Sequence, residues 1–142
     1  MKRSLSCMFL SMVAAAAMYA HFVFVTPEAG GASARIFISE NLAPDLDAGM
    51  ISDSKLNLLD GKGGDSALTL ERGDKNYFSV ALAGSGTRVI YGKTDLGVMS
   101  RGGKSHVLIY YPKAVVGNVF DPKAQVGGKV PVELVVLGNR EI

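Results

Sequence analysis

The chain has 142 residues, of which 48% are hydrophobic and 20% are charged, and its formal net charge is +2. Two of its basic residues, Lys2 and Arg3, precede an apolar stretch at residues 5–20, a pattern typical of a secretory signal peptide. Without those two cations the 13 acidic residues balance the basic ones, so a basic surface for nucleic acid is not expected. Residues 21–142 are enough for one domain with its own core.

The cleavage site of this leader decides which residue begins the mature protein. The small-residue rule fits a cut after Ala17, which has Ala15 two residues before it, better than a cut after Ala20, which has bulky Met18 there. A retained membrane anchor is the alternative, but it would need about 20 unbroken apolar residues followed by a polar stop. We therefore expect a periplasmic or secreted protein with a leader at residues 1–20 and no membrane span after its removal.

The only cysteine, Cys7, lies inside the leader. A mature protein without a thiol excludes disulfides, thiolate catalysis and cysteine-ligated zinc. Export without disulfides favours a bacterial envelope protein held together by an ordinary hydrophobic core.

Beyond the leader, short apolar runs with period-two alternation are separated by clusters of Gly, Asp, Asn and Ser, which is typical of an all-β sandwich or barrel. We predict a single β-sandwich, immunoglobulin- or transthyretin-like, with at least six strands and no helix longer than two turns. Residues 41–53 and 92–103 are predicted loops, the first with one helical turn. The predicted strands are residues 21–26, 34–40, 55–59, 67–71, 77–82, 87–91, 105–111, 115–120 and 130–137.

The alternation also predicts which side chains form the core. The predicted core residues are Phe22, Phe24, Ile36, Ile38, Leu68, Leu70, Phe78, Val80, Val89, Leu108 and the neighbours of Leu134.

The chain has two histidines, His21 and His106, and each is predicted to lie at the start of a strong strand. If cleavage follows Ala20, His21 offers an α-amine and an imidazole on one residue. A β-sandwich can bring the starts of two strands together, so His106 could supply a third nitrogen. Three nitrogens in a T shape form a histidine brace, which suits Cu(II) or Ni(II).

Nearby acids add to this hypothesis, because a carboxylate can complete a metal's coordination shell or orient an imidazole. The candidates are Glu40, Asp45, Asp47 and Asp95, and Met99 is a candidate soft axial ligand. The alternative is that each histidine ends a strand and binds a loop carbonyl, with the loop acids solvated.

Three classes of function remain open on these residues. The first is a non-catalytic binding domain for one divalent transition metal ion. The second is a structural or interaction module that docks on an envelope protein or a glycan. The third is a copper-dependent oxidative enzyme acting on polysaccharide, which would need a broad aromatic face, and the mature chain offers no Trp for one.

Three segments resemble a bacterial periplasmic family of unknown function, some of whose members are assigned to nickel or cobalt uptake, with the nearest likeness to planctomycete-like members. The segments are Ala-His-Phe at 20–22 with Pro27 after it, Ile-Phe-Ile-Ser-Glu at 36–40, and His-Val-Leu-Ile-Tyr-Tyr-Pro-Lys-Ala at 106–114.

The resemblance implies an exported β-sandwich whose leader is cut just before His21, and a role in handling nickel or cobalt. It carries over His21 and His106, with Glu40 behind them, as metal-site positions. Chains of that family look longer and continue into a second β-sandwich, so residues 130–142 are expected to begin a connection to such a domain.

Overall fold

The computed structural model describes residues 21–138, apart from the side chain of Arg101, so the predicted leader lies outside the described part. Within that part the chain is all-β, as predicted, and its helical content is limited to 3-10 helices at Ala48–Ile51 and Pro122–Ala124. No helix among residues 21–138 has the length and hydropathy needed to cross a membrane. The strands are β1 (Phe22–Pro27), β2 (Ser33–Ser39), β3 (Lys55–Leu59), β4 (Asp65–Ala67), β5 (Glu71–Asp74), β6 (Tyr77–Ala81), β7 (Arg88–Arg101), β8 (Lys104–Tyr110) and β9 (Lys113–Val116).

These strands form two antiparallel sheets. The four-stranded sheet has the order β1-β2-β6-β5, and the five-stranded sheet has the order β4-β3-β7-β8 with β9 also paired to β7. One edge of β7 pairs with β3, and its other edge pairs first with β9 and then with β8. Since β8 and β9 are separated only by Tyr111 and Pro112, they act as one interrupted strand along β7.

The main core lies between the facing sides of the two sheets, and the first 3-10 helix contributes Ala48 and Ile51 to it. Its other fully or nearly fully buried members are Ala34, Ile36, Ile38, Leu56, Leu58, Phe78, Val80, Leu82 and Ile90. A second cluster lies on the opposite face of the five-stranded sheet, where Val126 and Val130 cover Val89 and Tyr91. The part of the five-stranded sheet formed by β3, β9 and the first half of β7 is therefore packed on both faces.

The prediction that Phe22 and Phe24 belong to the core is wrong. Val23 and Val25 pack against the main core instead, and Phe22 is 48% exposed. Successive residues of a strand point to opposite faces, and both faces of β1 are apolar, so alternation could not tell which one is inward. The outward face is an aromatic one, in which the Phe24 ring stacks on Phe37 at 5.6 Å.

The predicted loop at residues 92–103 is also wrong, because β7 continues to Arg101 and pairs with β8. Its glycines suggested a loop but have other roles. A Cβ at Gly92 would collide with the carbonyl oxygen of Lys55 in the neighbouring strand β3, so the close approach of the two backbones requires glycine. Gly97 has a φ of +72° and lies at a register shift between Asp95 and Val98.

Three other predicted strands are shorter or missing. Residues 68–70 cross between β4 and β5, although Leu68 and Leu70 still pack against the core. The predicted strand at 115–120 is β9 and ends at Val116. No strand forms in the described part of 130–137, and Leu134 is 86% exposed rather than part of the core.

This last segment is held by one carboxylate. Glu133 lies 2.6 Å from the Lys113 ammonium and accepts a hydrogen bond of 2.7 Å from the Val126 amide. Burial raises the pKa of the Glu133 carboxyl, but Lys113 and the amides of Val126 and Gly127 outweigh it and hold the pKa below its ordinary value. In its ionised form, Glu133 therefore binds Lys113 and holds the C-terminal segment against β9.

Replacing Glu133 by Gln should lower the free energy of unfolding at pH 7 by on the order of 2 kcal/mol, because charged hydrogen bonds are lost in a largely buried place. Since the folded-state pKa is lowered, this stabilisation is complete above the ordinary pKa of 4.5 and is lost as the pH falls through the folded value. Urea unfolding from pH 7 to pH 3 should show the two proteins converging in acid. Glu71→Gln, at an exposed site, is the control, and an equal loss in both variants would contradict the role of Glu133.

Candidate metal centre

His21 and Glu40 face each other across the first two strands. Phe22 pairs with Ser39, so the antiparallel register continues to place His21 opposite Glu40. The imidazole Nε2 lies 3.2 Å from the Glu40 Oε1 atom, and the two side chains are 42% and 32% exposed. Both side chains lie on the core-facing side of their strands, just beyond Val23 and Ile38, the last residues there that pack in the core. The pair is thus at an accessible end of the space between the sheets.

The contact with Glu40 leaves one ring nitrogen of His21 for a ligand. A carboxylate at Nε2 favours the tautomer with the proton on Nε2, because the carboxylate accepts that hydrogen. The Nδ1 atom then carries a free lone pair. Histidines that ligate metals usually donate their other ring N–H to a carboxylate or carbonyl in this way. Glu40 therefore suits orientation of the imidazole better than direct ligation.

The backbone of His21 is also fixed, by a residue of the other sheet. The Tyr110 hydroxyl, at the end of β8, donates a hydrogen bond to the His21 carbonyl oxygen. The Tyr110 ring packs edge-on against Phe22, with 6.3 Å between ring centroids. Burial raises the pKa of the Tyr110 phenol, so the hydroxyl keeps its proton. These contacts order the first residue before β1.

His106 is not brought to this place. It is an exposed residue near the start of β8, whereas the residue of β8 that contacts His21 is Tyr110 at the other end. Tyr110 lies four positions after His106, which is about 13 Å along β8. The start of β1 therefore meets the end of β8, and not its start as the sequence-based hypothesis required.

Two of the loop acids considered as ligands, Asp47 and Asp95, have other partners. Asp47 accepts from the Gly49 amide at 2.7 Å and from Arg72 at 3.0 Å, and these contacts lower its pKa. Asp95 accepts from the Gly97 amide and pairs with Lys93, each at 3.0 Å. Within residues 21–138, no three His, Cys, Asp or Glu side chains come close enough to hold a metal ion.

Sequence reasoning missed Tyr110 as part of this site. Both Tyr110 and Tyr111 follow an apolar run, and nothing local distinguishes the tyrosine that points toward β1. The Pro112 that interrupts the strand was the one available signal, since it marks where β8 ends beside the start of β1.

In comparisons with known proteins, no protein-family model, curated protein or solved structure matches the chain.

Replacing Tyr110 by Phe should loosen the start of β1, because the His21 carbonyl loses its donor while the ring packing on Phe22 is kept. A lost hydrogen bond of about 1 kcal/mol corresponds to about fivefold faster local amide exchange. Hydrogen exchange of the amides at the start of β1 measures this change. Tyr111→Phe is the matched control, and the same exchange rates in the two variants would contradict the anchoring role of Tyr110.

Proposed function

We propose that the chain is exported, that its leader is removed between Ala20 and His21, and that the mature domain binds one divalent transition metal ion. The ligands are the α-amine and the Nδ1 atom of His21, with solvent completing the shell, and the ion is Cu(II) or Ni(II), with Co(II) as a weaker candidate. Glu40 orients the imidazole from its other side. The domain acts as a binding protein rather than as an enzyme.

The observation that carries this proposal is the 3.2 Å contact between the His21 Nε2 atom and Glu40. This contact engages the Nε2 atom, which an N-terminal chelate does not use, and leaves the Nδ1 atom available for the metal ion. The Tyr110 hydroxyl on the His21 carbonyl adds a second restraint, which lowers the entropic cost of binding. A half-exposed imidazole also leaves room for an ion and its water ligands.

We also propose a compartment for the protein and a finer class for its fold. A β-sandwich of immunoglobulin- or transthyretin-like type fits two antiparallel sheets that share one core. A periplasmic or secreted location fits the basic start and apolar stretch of residues 1–20.

A second candidate is an interaction module that docks on an envelope protein or glycan without metal. It is favoured by apolar side chains left exposed near the end of the described chain, where Val132 and Leu137 are 68% and 81% exposed. Large exposed apolar patches commonly mark interaction sites.

Isothermal titration calorimetry of protein beginning at His21, with Cu(II) or Ni(II) as the added ion, tests the metal site. We expect His21→Ala and acetylation of the His21 amine each to remove most of the affinity, because each removes a ligand. Glu40→Gln should weaken binding about tenfold, the smaller effect typical of a residue that only orients a ligand. Affinity should fall in acid, because protons compete for both nitrogens. His106→Ala is the control and should bind like the parent. Equal binding by all five proteins would favour the interaction module.

Intact mass of the exported protein tests the cleavage step separately. We expect a mature chain that starts at His21, the start that the proposed chelate requires, since it places the α-amine next to the imidazole. A mass that corresponds to a chain starting at Met18, after a cut at Ala17, would contradict the proposal, because His21 would then have no α-amine.

A further inference from the structure

The second half of β7 and β8 form a two-stranded arm at residues 94–110, beyond the part of β7 that pairs with β3 and β9. In this arm Met99 lies directly opposite His106. Directly opposed residues of antiparallel strands point to the same face and have Cβ atoms about 5 Å apart. The arm therefore presents a thioether and an imidazole side by side, with Met99 44% exposed and His106 exposed.

A β-bulge creates this pairing. Asp95 is opposite Ile109, and an unbroken register from that pair would place Val98 opposite His106. One extra residue on β7, at Leu96 and Gly97, shifts the register so that Val98 pairs with Val107 and Met99 with His106. The bulge is stabilised by the positive φ of Gly97 and by the Asp95 carboxylate, which accepts from the Gly97 amide at 3.0 Å. The juxtaposition thus has a specific structural cause.

We propose that Met99 and His106 form a two-coordinate site for Cu(I), which Ag(I) would also occupy. Thioether sulfur selects soft ions, and imidazole binds copper in either oxidation state. With the bond lengths known for zinc, roughly 2.3 Å to sulfur and 2.0 Å to imidazole nitrogen, as a guide, the two donors of a linear ion would lie about 4.3 Å apart. That span suits two side chains that rise from neighbouring positions on one face.

The surroundings favour a soft monovalent ion over a hard divalent one. Among residues 21–138, no group of three or more His, Cys, Asp or Glu side chains that could hold a divalent ion is present around His106. Lys104 lies two residues from His106 on the same face of β8, and its repulsion of a dication would be twice that of a monocation. The site does not depend on cleavage of the leader or on the amine of His21.

Methyl NMR of purified protein carrying His21→Ala tests the site without interference from the N-terminus. We expect one equivalent of Ag(I) to shift the Met99 methyl signal and the His106 ring signals together. Met50, 52% exposed and without a histidine paired to it, is the internal control and should not move. Equal shifts of Met50 and Met99 would mean adventitious thioether binding and overturn the proposal.

Competition with a chromogenic Cu(I) chelator gives the affinities. Met99→Leu and His106→Asn should each weaken Cu(I) binding at least tenfold, whereas Met50→Leu should leave it unchanged. Because Leu is close in volume to Met and residue 99 is half-exposed, folding is retained. Unchanged Cu(I) affinity in either arm variant would refute the site. This result is independent of the Cu(II) titration, since His21 is absent from every protein compared.

Discussion

The pairing of β7 with three other strands is the interaction on which the rest of the structure depends. Its first half lies between β3 and β9, and its second half pairs with β8 alone. Ile90 of β7 belongs to the main core, while Val89 and Tyr91 belong to the cluster on the opposite face. Because β8 and β9 both pair with β7, the position of Tyr110 beside the start of β1 also depends on this strand.

The candidate site combines that constraint with a second one, the register of β1 on β2. The β1–β2 register alone sets His21 opposite Glu40, and the β7–β8 register supplies the hydroxyl that anchors the His21 carbonyl. Two sheets thus restrain one residue that has no strand pairing of its own. Such restraint would lower the entropic cost of binding any ligand at His21, because the residue is already ordered.

Sequence reasoning succeeded where one face of a strand is apolar and the other polar, as in β6, where Phe78 and Val80 are buried. It failed where both faces are apolar, because the outward aromatic face of β1 looks like a core face. It also failed where pairing overrides local signals: Gly92 and Gly97 suggested a loop, but contact with β3 and a bulge place them in β7. The sequence singled out His21 and Glu40, which the β1–β2 register brings together, whereas the place of His106 depends on which end of β8 meets β1.

A crystal structure of protein beginning at His21 and soaked with Cu(II), with anomalous data collected at the copper edge, tests the metal site most directly. We expect an anomalous peak bonded to the α-amine and the Nδ1 atom of His21, with the Glu40 carboxylate still at Nε2. A peak at any other residue, with the His21 imidazole free of metal, would contradict the central claim.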